Sequence, residues 1–555
     1  MPEIPRTQHA VQLTGPDQLM LNRAKPVTEP SEHQILCRVV VCGLCYSDLK
    51  LLKQFSEHAR KSEVLSGVSP AILRDFPSYV PGAQPTVPGH EPAVEIVSTG
   101  KAVRSVKPGE RYVIQADWRW LKTTSSNGAF GYNFEGALQE YVLLDERIVL
   151  SPEGESMLLP ATDSGRSMAA YALVEPWACV ENAYQSPQRR RLTEGGRMLV
   201  VAEVALPADA LSSYVARFGR PRSIAWIGSG ASPDSGGVAL TPASWSSLGE
   251  ERFDDVLYVG SNRQTVEALF GRLAVGGLIN IVLWGGRFGS AVSTPLGQLH
   301  YAGVRITGST GKDIARGLER IPETGEMRPG DRVHIVGAAG PMGVMHVMRD
   351  LCQGVRDVEI LAGDLSAERL RALDRLAEPV ARERGLRYES WNPKESAPRS
   401  GFSYITVMAP IPAVVAQAVR DATTGGIINI FAGIPAGVSG EIDLDAYLGK
   451  ELYAFGTSGS LMRDMKTVLC KVVEGTLDTN VSVAAVSGLD GAVEGIRAVE
   501  KQLIPGKILV YPACKGLGLT RLSELQTSLP EVASLLTDGV WTLAAERALL
   551  AHYGA

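Results

Sequence analysis

No run of 18 apolar residues occurs anywhere in the 555-residue sequence, so no segment reads as a bilayer-spanning helix. The opening, MPEIPRTQHAVQLTG, lacks the apolar core of a secretory signal. No long basic run is present and the net charge is −5, which points away from nucleic-acid and membrane surfaces. Cysteine is scarce. Cys37, Cys42, Cys45, Cys179, Cys352, Cys470 and Cys514 are odd in number and scattered, and they make no disulfide framework. They read as free thiols, with a metal ligand among them, in a cytoplasmic protein. What is abundant is ordinary. An apolar fraction of 45% and a charged fraction of 21% suit a globular chain, and the length suits three or four domain-sized units.

Residues 35–150 alternate short β-rich runs (ILCRVVVCG, PAVEIVSTG, RYVIQAD, LQEYVLLD) with Gly/Pro turns, the pattern of a small antiparallel barrel or sandwich. Between Asp48 and Pro88 lies a charged stretch, read as helical up to about Arg74. Residues 167–185 read as a helix through a buried region. From about residue 190 apolar strands alternate with helical segments, as in a doubly wound α/β unit, and they do so twice. Residues 195–229 align without a gap on 330–364. Residues 253–286 align likewise on 402–435, GGLINI meeting GGIINI, and TGSTG (307–311) meets FGTSG (455–459). Three blocks in one order predict an internal duplication.

The second copy has the parts that hold a dinucleotide. Ala338–Gly343 is a variant of G-x-G-x-x-G with Gly337 just ahead. Gly340 lets the backbone approach a pyrophosphate, Gly343 lets the helix pack close to the strand, and the helix N-terminus offers N–H groups and a positive dipole end. Ala339, Pro341 and Met342 complete the turn. Asp364, 21 residues past Gly343, is placed to accept hydrogen bonds from ribose hydroxyls, with Arg369 nearby. An acid there disfavours a 2′-phosphate, so NAD is expected over NADP. The first copy lacks these parts: Gly340 aligns with Ala205, Gly343 with Ala208 and Asp364 with Ser229, while Leu206 and Pro207 fill the turn and Glu203 adds negative charge. It is expected not to bind NAD. IGSGASPDSGG (227–237) follows the second strand and reads as a loop. Trp226, Trp245 and Trp284 give this copy aromatic side chains for its core or for sugar contact.

CGLCYSDLK (42–50), PGHEPAVEIVSTG (88–100), VKPGERYVI (106–114) and LVEPWACV (173–180) precede the glycine motif in an order that resembles the zinc-dependent medium-chain alcohol and polyol dehydrogenases. Within that family, GYNFEGALQEYVLLDE (131–146), GPMG, the GTSG strand end and the tail at 529–550 are similar to the L-sorbose-1-phosphate reductase type. The resemblance covers most of 30–185 and 330–512. It implies a GroES-like catalytic domain followed by a Rossmann domain. It also implies a catalytic zinc with Cys45 as thiolate ligand and His90 as imidazole ligand, and Glu91 or Glu175 as the further ligand. Ser47 matches the hydroxyl that relays the alcohol proton, and Asp48 would orient His90. Tyr46 stands where many relatives have His or Arg. Residues 115–135 contain no cysteine, so the lobe of a structural zinc is missing and one zinc per chain is expected. The 45 residues from Cys45 to His90 exceed the family's usual spacing, and Lys50, Lys53, Arg60 and Lys61 in that stretch are either sugar-phosphate ligands or a solvated helix face.

The expected architecture is α/β. A GroES-like zinc domain spans 1–190, a degenerate Rossmann-like domain 191–320 and an NAD-binding Rossmann domain 321–461, and 462–555 returns to the catalytic domain. The expected activity is reversible hydride transfer between NAD and a secondary alcohol of a polyol, sugar or sugar phosphate, in a homodimer or homotetramer. Two other readings use the same residues: tightly held NAD serving a transient oxidation in a lyase or epimerase, and a non-catalytic NAD-sensing or scaffold protein. The first copy is read either as a built-in partner covering an edge strand of the second or as a lid over the substrate.

Overall fold

The computed structural model describes residues 4–228 and 231–554. The chain divides into two compact units, Met1–Glu181 with Ser460–Ala555, and Asn182–Gly459. In the first, an eight-stranded sheet runs in the order Thr520–Arg521, Val483–Ser487, Lys507–Val510, Gln34–Gly43, Glu91–Thr99, Arg111–Ile114 and Leu158–Pro160, with Tyr141–Asp145 also paired to Gln34–Gly43. The long strand Gln34–Gly43 alternates little, because it is covered on both faces. It ends at a helix, α1 (Tyr46–Gln54), whose N-cap is Cys45. The C-terminal segment joins this sheet through Leu509 opposite Gly43 and Val510 opposite Cys42. The last helix is tied in by the buried Glu546, whose carboxylate accepts the N–H groups of Met168 and Ala169 at 2.6 and 2.8 Å. These residues open the short helix Met168–Ala172, which precedes α2 (Val174–Gln185).

The second unit is built on one sheet of twelve strands: β1 (Arg197–Ala202), β2 (Ser223–Gly228), β3 (Ala239–Pro242), β4 (Phe253–Val259), β5 (Leu273–Val282), β6 (Arg305–Ser309), β7 (Arg332–Val336), β8 (Glu359–Gly363), β9 (Arg387–Trp391), β10 (Phe402–Val407), β11 (Ala422–Ile430) and β12 (Tyr453–Phe455). Their order is β3-β2-β1-β4-β5-β6-β12-β11-β10-β7-β8-β9, which reads alike from either edge. Each half is parallel within itself, in the doubly wound order with a switch between its first and fourth strands. The halves share an irregularity: the ladder slips after Phe253 opposite Leu273, and again after the aligned Phe402 opposite Ala422. They meet antiparallel, Ile306 on β6 opposite Ala454 on β12. A second antiparallel contact sets Val292, Ser293 and Thr294 opposite Ile442, Glu441 and Gly440. The central partners are 148 residues apart in both contacts (306 to 454, 293 to 441). Each central residue therefore faces its own counterpart, the register of an isologous two-fold contact.

Helices α3 (Ala210–Phe218) and α4 (Arg263–Phe270) belong to the first half, and α5 (Pro341–Cys352), α6 (Ala367–Arg384) and α7 (Pro412–Asp421) to the second. One apolar core runs through both halves, from Leu199 and Tyr258 through Ile281 and Ile306 to Ile405, Ile430 and Tyr447. Among the described residues no helix is long and apolar enough to cross a membrane.

Candidate metal and nucleotide sites

Cys45 Sγ, a ring nitrogen of His90 and a carboxylate oxygen of Glu91 all lie within 4.8 Å of one another. Local structure explains how. Cys45 caps α1, and Asp48 in its first turn reaches back so that its Oδ2 accepts the Cys45 N–H at 3.2 Å. Asp48 Oδ1 is 3.0 Å from His90 Nδ1. The carboxylate thus accepts a hydrogen bond from Nδ1–H and turns Nε2 toward the cluster. Ser47 Oγ lies 3.1 Å from His90 Nε2 and 3.1 Å from Cys45 Sγ. Burial opposes charge on His90, but Asp48, Tyr132 and Cys45 outweigh it and hold the imidazole pKa well above its ordinary value. The pocket favours positive charge at this point. Glu91 is fully buried, and Gly43 opposite makes room for it: a Cβ there would fall 2.2 Å from Glu91 Oε2. Lys507 Nζ sits 2.6 Å from both oxygens of that carboxylate. Burial works against the Lys507 ammonium, yet Glu91 holds it charged.

Glu175, at the start of α2, is buried near this cluster but not within it, and it accepts a weak contact from Cys179 Sγ at 3.8 Å. Burial pushes its pKa up to about 7; the field of His90 opposes the shift, and Glu91 and Asp117 add to it. Three neighbours of the cluster were not among the candidate catalytic and metal-binding residues. The Tyr132 ring is 5.7 Å from that of His90, and its phenol bonds Ser47. The Arg60 guanidinium stands 5.3 Å over the Tyr132 ring and pairs with Asp117 at 2.8 Å. Tyr46 is 59% exposed and belongs to no such chain.

The basic stretch departs from a phosphate-binding face. Lys53 pairs with Asp17 at 3.0 Å and Glu500 at 2.5 Å. Lys61 is buried, with its ammonium on the carbonyls of Val80 and Gln84, and Arg60 is taken by Asp117. The stretch is also less helical than its composition predicts: beyond α1 only two single 3₁₀ turns and the five residues Pro70–Arg74 are helical.

In the second unit, the turn after β7 has Gly337 at φ 86 and Gly340 as the cap of α5, with Pro341 in the first turn. A Cβ on Gly343 would lie 2.3 Å from the Gly337 carbonyl oxygen, so only glycine allows the helix this close to the turn. Asp364 follows β8. Its Oδ2 accepts the Ala339 N–H at 3.1 Å and its Oδ1 the Ser366 N–H at 3.0 Å, which ties the acid to the glycine turn. Arg369 lies in the first turn of α6. Ala339 and Met342 flank the cap. The first half differs at the same place. Pro341 aligns with Leu206, but α3 begins only at Ala210, so the first helical turn is missing. Glu203 turns its carboxylate onto the Ser261 N–H at 3.2 Å and the Thr265 hydroxyl at 3.1 Å. Ser229, the counterpart of Asp364, lies outside the described residues, as does Gly230. Trp226 is buried, Trp245 exposed and Trp284 half-buried.

Residues 31–153 match the family model of the alcohol dehydrogenase GroES-like domain. Among curated proteins, the Uncharacterized protein YggP of Escherichia coli (strain K12) is 28% identical over 251 residues, covering 41% of this chain and 58% of that protein. An alcohol dehydrogenase of Schizosaccharomyces pombe is 22% identical over 192 residues, covering 30% of this chain and 47% of that protein. The chain spans about half the length of these curated relatives. Among solved structures, 2R,3R-butanediol dehydrogenase from Bacillus subtilis aligns with a TM-score of 0.51 at 17% identity, over 91% of this chain and 100% of that one. That likeness is one of fold.

Proposed function

We propose that the chain, which carries an alcohol dehydrogenase GroES-like domain at 31–153, is a zinc- and NAD-dependent oxidoreductase acting on a secondary alcohol of a polyol, sugar or sugar phosphate. The observation that carries this reading is the convergence of a cysteine sulfur, an imidazole nitrogen and a carboxylate oxygen within 4.8 Å inside that domain. This donor set suits zinc and leaves a fourth position open for substrate. Bound there, zinc would supply Lewis-acid polarisation of the alcohol oxygen, and NAD on the Gly337–Gly343 turn would accept the hydride.

The chain's own residues have the remaining work. Asp48 fixes the tautomer and orientation of His90. Lys507 pairs with the buried Glu91 carboxylate and holds it beside Cys45 and His90. Ser47, on Cys45, His90 and Tyr132, is placed to pass the alcohol proton outward. Glu175, with its pKa near 7, is able to take a proton at neutral pH. Asp364 favours NAD over NADP, because a carboxylate at that position repels a 2′-phosphate.

The first half of the twelve-stranded sheet is, in the same proposal, a copy of the second that has given up its nucleotide and serves as a built-in partner. The shared slip in the ladder, the palindromic strand order and the self-facing register support this. Metal analysis with turnover on a polyol panel tests the enzyme reading. The wild-type chain is expected to hold about one zinc and to reduce NAD, and His90→Ala to lose both. Full activity of metal-free protein overturns the mechanism.

A further inference from the structure

The half of the sheet that lacks a nucleotide turn has a groove of its own. It follows α3. Near the start of the helix a cavity of about 300 Å³ is lined by Pro207, Ser213, Tyr214, Trp284 and Lys312. A second, of about 550 Å³, is lined by Arg190, Arg191, Arg217, Phe218 and Glu319. Arg217 borders both. The first cavity lies where residues follow the carboxyl ends of β1, β5 and β6, the side of an open α/β sheet on which ligands bind.

Three features of the lining point to one chemistry. The cations exceed the acids. Lys312, Arg190 and Arg191 are exposed and have no acid partner among the described residues, whereas Glu319 is paired with Arg217 and Asp313 accepts the Ala315 N–H at 2.8 Å. The indole of Trp284 offers a flat apolar face with an N–H that bonds nothing among the described residues. Trp284 also holds φ 53, a left-handed conformation that a bulky residue keeps only where its surroundings impose it, as they often do at ligand clamps. Lastly, Glu203, just after β1, holds its carboxylate on the Ser261 N–H and the Thr265 hydroxyl, and that negative charge beside the turn repels a pyrophosphate. A dinucleotide is therefore not the occupant.

We propose that this groove binds a sugar phosphate, with the sugar ring against Trp284 and the phosphate on Lys312 and Ser213. Arg190 and Arg191, on the second cavity, extend the positive field beyond it. Sugar rings present C–H faces to an indole, and a lysine ammonium suits a phosphate as a point charge. Its lining shares no residue with the metal cluster, and the assignment does not depend on the function proposed for that cluster.

Calorimetric titration of the full chain with glucose 6-phosphate tests the assignment, with glucose and inorganic phosphate as comparisons. Saturable binding is expected, and it should persist in His90→Ala. Lys312→Ala and Trp284→Gly should each weaken it about tenfold or more, while their thermal midpoints stay at the wild-type value. Glycine at 284 accepts the observed φ, so that variant keeps the loop. Absence of saturable heat up to about 10 mM overturns the proposal, as does equal affinity in Lys312→Ala. Loss of binding in His90→Ala also overturns it, since the ligand would then sit at the metal cluster. Inorganic phosphate binding as tightly as the ester would remove the role of Trp284 and overturn the sugar assignment.

Discussion

Glu91 and Lys507 are separated by 416 residues, yet they form a pair with almost no contact with water. A buried pair is not automatically stabilising, but removal of one member strands the other. Lys507→Met should therefore destabilise the metal-free protein by about 3–5 kcal/mol, read as a lowered denaturant midpoint. Zinc should recover more stability in this variant than in the wild type, because the ion would replace the missing positive charge. An unchanged midpoint in metal-free Lys507→Met would show that the pair contributes nothing. This lysine stands in plain sight in GKILVYP, but no local spacing links it to Gly-His-Glu; only the return of the C-terminal strand does. Cys45, Ser47, Asp48, His90 and Glu91 were legible because each lies in a short motif with fixed chemistry. Lys53 and Lys61 were not, because the partners that engage them, Asp17, Glu500 and two backbone carbonyls, come from elsewhere in the chain.

At the scale of one helix, α5 and α3 show what a turn demands. The sequence of the second turn states its geometry directly: Gly343 three residues after Gly340, and Pro341 at the helix start, are local requirements that a reader of the sequence can check. Gly343→Ala should push α5 away from Gly337 at a cost of about 1–3 kcal/mol, and weaken NAD binding measured by fluorescence titration by about tenfold or more. Wild-type affinity in that variant would mean that the turn is not the nucleotide site. The late start of α3 was less legible. Losing two glycines predicts a poorer turn, but it does not say that a whole helical turn disappears or that Glu203 bonds Ser261 and Thr265 in this half.

Over the whole molecule, the mixed α/β class and the GroES-like character of the N-terminal region were readable from strand texture and motif order. The three ungapped alignments were readable too. An edge-to-edge join of the halves was one of two readings the sequence offered; its register was not legible, since a one-residue bridge and a three-residue ladder leave no periodic trace in sequence. If the first half serves as partner to the second, the joint must close within one chain. Ser293→Cys with Glu441→Cys places two thiols directly opposite each other across it. Oxidation should give a faster-migrating species of the single-chain mass, 59.4 kDa, with no covalent dimer. Disulfide-linked dimers would show that the halves exchange between chains and would end the built-in-partner reading.

A contact between identical subunits obliges every residue on its axis to tolerate its own image. Here Ile306 faces Ala454 and Ser293 faces Glu441, a large side chain against a small one and a neutral side chain against an acid. Both sides are encoded separately, so each can change without the other. A joint of this kind is free to become lopsided. One half can keep the demands of catalysis while the other drifts toward a different ligand, and neither change has to be made twice.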